Sequence, residues 1–138
     1  MQQPKSQQLY QYFNRSEFVC KCGCGFDTVD AGLLTLLSDI REFWGRVVIT
    51  SGCRCERYNR LVGGAADSQH LKAKAADIIV YDAETDRVIA PLVIYDWVSK
   101  RYPETYGIGL YYTFVHVDSR PTPARWIDGT AEVKPSGS

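Results

Sequence analysis

Two stretches hold most of the side chains capable of chemistry: Ser68-Gln-His-Leu-Lys-Ala-Lys-Ala-Ala-Asp77 and Phe114-Val-His-Val-Asp118. His70 and His116 are the only two histidines in 138 residues. Side chains alternate along a strand, so Ala75, Asp77 and Ile79 share one face of the first run, and Phe114, His116 and Asp118 one face of the second. If these strands pair, Asp77 and His116 point the same way. His70, in the loop before its strand, then folds back over that face. Two neutral imidazoles and one carboxylate would surround one point with a fourth position open, which is the ligand set of a catalytic rather than a structural zinc. One Zn2+ held by His70, Asp77 and His116 would lower the pKa of coordinated water from about 15.7 to roughly 7 and polarise a carbonyl. That chemistry suits hydrolysis of an amide bond. Spacing alone leaves a second reading open, with His70 a loop histidine and His116 a hydrogen-bonded strand residue.

Positioning these groups requires a sheet. Short β runs are expected at 46–50 and 75–81, and 106–112 with 114–118 read as a hairpin. Asp30 reads as an N-cap, and Leu33, Leu34, Leu36, Leu37, Ile40, Phe43 and Trp44 recur at helical spacing until Gly45. A short helix is expected over 56–61. A further helix from about Pro91 to Arg101 would turn Leu92, Val93 and Trp97 inward, with Pro103 closing it. The order predicts an α+β fold, a small, mostly antiparallel sheet with helices packed on one face and the cleft on the other. Residues 1–12 read as a flexible N-terminus, 13–129 as one domain and 130–138 as a flexible tail.

Sixteen basic and sixteen acidic residues cancel, which argues against nucleic acid or an anionic membrane as partner. A monomer is expected. No apolar run approaches the roughly 18 to 20 residues of a membrane span, and the N-terminus lacks the charged-then-apolar layout of a signal peptide. Cytoplasmic synthesis is therefore expected. The five cysteines Cys20, Cys22, Cys24, Cys53 and Cys55 invite a second metal, yet Cys-x-Cys-x-Cys is not the Cys-x-x-Cys spacing of common zinc knuckles. A reducing compartment argues against disulfides. Free thiols packing the N-terminal segment near the 53–55 loop are the favoured reading, with a disulfide or a metal as alternatives.

Around the two stretches lie Thr50-Ser-Gly-Cys-Arg-Cys-Glu-Arg-Tyr-Asn59, Val62-Gly-Gly64, Val115-His-Val-Asp118 and Arg125-Trp126. In this order, over roughly residues 13 to 127, the sequence resembles the zinc D-Ala-D-Ala carboxypeptidase-like peptidases. That wider group includes lysostaphin-type enzymes and the hedgehog signalling domain. The resemblance implies His70, Asp77 and His116 as zinc ligands and Arg54 as the cation that holds a substrate carboxylate or a developing oxyanion. A surface salt bridge is the alternative role for Arg54. The motifs are most similar to those of short phage and bacterial enzymes that cut peptidoglycan (murein), implying an endolysin or murein endopeptidase that reaches the cell wall after release. A D-Ala-D-Ala carboxypeptidase and a non-catalytic, zinc-holding wall-binding module are the alternatives. Ser68 and Tyr112 are candidate contacts for the peptidoglycan peptide, and Tyr111 and Tyr112 could line its cleft, with half-buried strand tyrosines as the alternative.

Two residues depart from the family pattern: Ala73 stands where Gly is usual, and Cys53 where Tyr is usual. Many relatives also place a proton carrier two or three residues before the last ligand, where this chain has Phe114 and Thr113. Asp118 is the preferred substitute base, on the same strand face as His116. Its alternative role is as an acceptor that orients a ligand histidine.

Overall fold

The computed structural model describes residues 12–129 and 131. Most of the two termini expected to be flexible, 1–12 and 130–138, therefore lies outside the described residues. Five strands, β1 (Val47–Ser51), β2 (Ala75–Val80), β3 (Gly107–Leu110), β4 (Val115–Asp118) and β5 (Ala124–Ile127), form one sheet in the order β1-β2-β4-β3-β5. Every neighbouring pair is antiparallel except β3 with β5, which is parallel. The α+β expectation holds, and β3 and β4 form the expected hairpin. The fifth strand was not anticipated. Ala-Arg-Trp-Ile has no alternation of apolar and polar residues, so it carries no period-2 signal.

Three helices complete the fold: α1 (Ala31–Phe43), α2 (Glu56–Leu61) and α3 (Pro91–Arg101). Asp30 caps α1 as its sequence suggests, accepting from the N–H groups of Gly32 at 3.0 Å and Leu33 at 3.3 Å. The same carboxylate accepts from Ser119 Oγ at 2.7 Å, which ties the helix start to the end of β4.

Leu33, Leu34, Leu36, Leu37 and Ile40 of α1 join Ala76, Ile78, Val80, Ile108, Val115 and Val117 of the sheet in one buried cluster. Each buried Val, Leu or Ile side chain among them contributes about 1.5–3 kcal/mol of transfer free energy. In α3 the inward stripe differs from expectation. Ile94 and Val98 are buried, Val93 is 43% exposed and Trp97 is half-buried. Ile94 and Val98 stand one turn apart on the face that meets the sheet, whereas the Trp97 ring packs on Phe43, the last residue of α1, and on its C-cap Trp44 at 4.8 and 6.1 Å.

Both long helices thus cover one face of the sheet. Asp77, His116 and Asp118, with the opposite strand parity, point to the other. No helix among the described residues is long and apolar enough to cross a membrane.

Candidate active site

Asp77 pairs directly with His116 across β2 and β4, His116 with Gly109 on β3, and Gly109 with Trp126 on β5. One row across four strands therefore lays down the floor of the site. The His116 imidazole and the Trp126 indole lie 5.1 Å apart, centroid to centroid. Glycine at 109 is required by that approach, because a Cβ there would collide with the indole. A Cβ on Gly107 would likewise strike the carboxylate of Asp118 and the side chain of Arg120. Two glycines two residues apart on one face of a strand signal a surface that something must approach closely.

His70 arrives from outside the sheet, on a 3-10 turn over Gln69–Lys72. Ser68 Oγ caps this turn by accepting the His70 N–H at 3.2 Å. The turn closes on Ala73 at φ 57°, the left-handed conformation that explains why glycine is usual at this position in the family. His70, Asp77 and His116 are all buried. Asp77 Oδ1 is the meeting point, 3.2 Å from His70 Nε2 and 2.9 Å from His116 Nδ1.

The remaining ring nitrogens decide what this meeting point is for. His70 Nδ1 lies 2.6 Å from the carbonyl oxygen of Gly52, and His116 Nε2 lies 2.7 Å from Asp118 Oδ2. Neither oxygen can donate, so both of these nitrogens must carry a hydrogen. In neutral imidazoles the two inner nitrogens then present lone pairs, and both face a carboxylate oxygen. Three lone pairs directed at one small region repel one another unless a cation sits among them. A divalent metal ion fits: the three donor atoms come from residues grouped closely enough to share one ion, and two nitrogens with one oxygen is a zinc donor set.

The electrostatics agree. Burial pushes the Asp77 carboxyl up, but its contacts with the His116 and His70 rings outweigh it and hold it below the ordinary 3.8. Burial opposes charge on His116 as well, yet its bonds to Asp118 and Asp77 raise its pKa above the ordinary 6.5. In the absence of a metal, protons take over part of the neutralisation.

Arg54 is placed by three contacts. Nε donates to Ser51 Oγ at 3.3 Å, Nη1 to Asn59 Oδ1 at 3.3 Å and Nη2 to Asp77 Oδ2 at 3.4 Å. Its side chain is only 15% exposed, so it is no free surface cation. Asn59 braces the next loop through Nδ2 to the Ala65 carbonyl at 2.8 Å.

Asp118 is not beside the open side of the donor group. It lies at the opposite nitrogen of His116, fully buried. Arg120 grips both of its oxygens: Nε donates to Oδ1 at 2.8 Å and Nη2 to Oδ2 at 2.7 Å. Burial raises the Asp118 pKa, but Arg120 and His116 more than offset this and leave it below the ordinary 3.8. Such a carboxylate fixes a tautomer well and takes up a proton poorly.

The cleft above this floor has a volume of about 360 Å³ and is bordered by Arg54, Asp67, Ser68, Tyr111, Phe114, Arg120 and Trp126 besides the donor group. Tyr112 does not border it and is 60% exposed. Tyr111 borders it instead, on the same strand parity as Gly107 and Gly109. The Tyr111 ring stacks on Phe114 at 4.5 Å, and its hydroxyl accepts from Trp126 Nε1 at 3.1 Å. Cys53 takes no part in the cleft wall. It is buried against the N-terminal segment, where its thiol donates to the Thr28 carbonyl at 2.7 Å.

Asp67, Arg120, Gly107 and Gly109 were not singled out from sequence. The Gly-x-Gly of β3 was the available signal for the last two.

A search of curated proteins found no match to the chain. Residues 11–118, a span that takes in all three donor residues and Arg54, match the family described as Peptidase M15, and the chain belongs to that family of zinc-dependent metallopeptidases.

Proposed function

We propose that the protein is a zinc-dependent peptidoglycan peptidase that hydrolyses an amide bond in the peptide stem or cross-link, as a phage endolysin or a murein endopeptidase does. The observation that carries the reading is the pair of imidazole tautomers set by the Gly52 carbonyl and Asp118, which leaves two lone pairs facing Asp77. When bound, zinc supplies a Lewis acid that activates water and polarises a carbonyl.

The remaining roles fall to side chains of the chain itself. His70, Asp77 and His116 hold the ion. Asp118 keeps the hydrogen of His116 on Nε2 and is itself held by Arg120. Arg54, braced by Ser51 and Asn59, faces the cleft with a fixed positive charge. That charge suits the carboxylate of a peptide stem or the oxyanion that develops on a carbonyl under attack. Asp67 borders the cleft outside the donor group, and we assign it the proton transfer in place of Asp118. Tyr111, Phe114 and Trp126 supply apolar walls along which an extended peptide can lie.

The test is digestion of purified sacculi with the zinc-loaded protein, followed by mass spectrometry of the released muropeptides. New stem or cross-link products that vanish with His70→Ala support the proposal and identify the bond. Intact sacculi with zinc bound would overturn it and favour the non-catalytic wall-binding module, a reading supported by the engagement of both Asp118 oxygens.

A further inference from the structure

The catalytic reading leaves the cysteines unused, and the fold gathers four of them. The sulfur of Cys20 lies 3.5 Å from that of Cys22 and 3.9 Å from that of Cys55, and the Cys22 and Cys55 sulfurs are 3.6 Å apart. Cys24 completes the group, with all four sulfurs within 4.8 Å of one another. All are free thiols. A disulfide would need a separation of about 2.05 Å. Four sulfurs arranged tetrahedrally around an ion at a Zn–S length of about 2.3 Å lie about 3.8 Å apart. The three close pairs scatter around that value.

The backbone is shaped to the same end. Gly23, between Cys22 and Cys24, has φ +85°, so the chain folds sharply between two cysteines. The loop closes through Cys20 N–H to the Phe26 carbonyl at 2.7 Å and Gly23 N–H to the Cys20 carbonyl at 3.2 Å. Two backbone donors aim at sulfur: Cys55 N–H at Cys20 Sγ and Tyr58 N–H at Cys55 Sγ, each at 3.4 Å. Donors of that kind stabilise thiolates. The odd fifth cysteine is accounted for too, since Cys53 gives its hydrogen to the Thr28 carbonyl and burial pushes its thiol up to about 11.

We propose that Cys20, Cys22, Cys24 and Cys55 form a second, structural zinc site, a tetrathiolate separate from the His70–Asp77–His116 group. The Cys-x-Cys-x-Cys spacing that argued against a common zinc knuckle is compensated by Cys55 arriving from a different loop. Binding forms four Zn–S bonds and releases the four thiol protons to solvent. The ion would pin the N-terminal cover to the loop that carries Arg54. Among the described residues, the one backbone–backbone bond between these segments is Cys53 N–H to the Phe18 carbonyl at 2.8 Å. Cys22 and Cys24 are exposed, which gives an ion its way in.

Cobalt substitution of the full, reduced chain tests the proposal, because thiolate ligands give Co2+ an intense near-ultraviolet charge-transfer absorption that a His–Asp–His site lacks. The wild type should take two equivalents, one of them with that absorption. Cys22→Ser with Cys24→Ser should lose one equivalent together with the absorption. His70→Ala with His116→Ala should lose the other equivalent and keep the absorption, so failure here is distinguishable from failure at the catalytic site. The proposal is overturned if the reduced wild type shows no thiolate absorption, or if mass spectrometry of the freshly purified protein finds disulfides among these four residues. Should the serine variant not fold, the wild type still decides. The four thiols should be shielded from a thiol reagent with zinc bound and react after chelation, and equal reactivity in both states would overturn the site.

Discussion

On the helix-covered face of the sheet, Ala76, Ile78, Val80, Ile108, Val115 and Val117 are interlocked aliphatics. On the other face the same three strands carry Asp77, His116, Asp118 and two glycines. The first face is set by volume, and any apolar set of the right size would fill it. The second is set by distances between particular atoms, and its small residues are there to let larger ones approach. Stability and chemistry are thus separated by strand parity, one residue apart along the chain. Substitutions on the two faces should therefore fail in different ways.

The largest effect is expected at the ligands. His116→Ala or His70→Ala should lower hydrolysis roughly 10³-fold or more, the loss of several kcal/mol of charge stabilisation. Binding at that site should be lost in metal analysis while the circular dichroism of the fold is retained. On the opposite face, Ile78→Ala should do the reverse. It should lower unfolding free energy by about 2–5 kcal/mol in denaturant titration while leaving metal stoichiometry unchanged below the transition. If Ile78→Ala also emptied the metal site, the separation of the two faces would be refuted.

Asp118→Asn comes next, with a fall of about 10–100-fold in metal affinity or activity. It also has a pH signature. The metal needs neutral His116, whose pKa is raised above 6.5 by Asp118 and Asp77 despite burial. Metal should therefore begin to dissociate on acidification at a higher pH than an ordinary histidine would dictate. Removing the Asp118 charge lowers the His116 pKa, so in the metal-free Asp118→Asn variant the His116 ring, followed by NMR, should titrate at a lower pH than in the metal-free wild type. In the metal-free protein the signs separate. The His116 contribution to stability is present below 6.5 and fades as pH rises through its raised value, whereas those of Asp77 and Asp118 are present above 3.8 and fade as pH falls. An unmoved His116 titration in Asp118→Asn would remove its proposed role as the group that orients His116.

What the sequence disclosed follows the same division. Parity alone put Asp77 and His116 on one face, and the N-cap and leucine spacing gave α1, because those signals are local and periodic. The close approaches were not local. Gly109 makes sense only once β5 brings Trp126 beside it, and β5 has no pattern of its own. Arg120 sits two residues past Asp118, yet nothing in a linear reading says that it would curl back to take both oxygens and leave the carboxylate unfit as a base. Alternation carried past Leu110 puts Tyr111 rather than Tyr112 on the face of Gly107 and Gly109, a distinction that needs the register of β3 against β4. The cysteines were legible in part: packing of the N-terminal thiols near the 53–55 loop was expected, but not the convergence of Cys20, Cys22, Cys24 and Cys55 on one point. Cys55 is more than thirty residues from the others, and spacing rules for zinc knuckles count only neighbours.

The smallest effect is expected at Ala73, which belongs to both faces. Its methyl is buried in the apolar cluster, yet its φ of 57° is what turns His70 onto the chemical face. An L-residue there carries about 1–2 kcal/mol of strain. Ala73→Gly relieves it but restores about 0.4–1 kcal/mol of unfolded-chain entropy and gives up a buried methyl, a group of about 0.8 kcal/mol. The terms nearly cancel, and a stability change below about 1 kcal/mol in either direction is expected, with hydrolysis unchanged. Chemical denaturation of the zinc-loaded pair measures it. A clear loss of stability would mean that the methyl matters more to the core than the strain costs the turn, and that this position is held by packing rather than by the need to present His70.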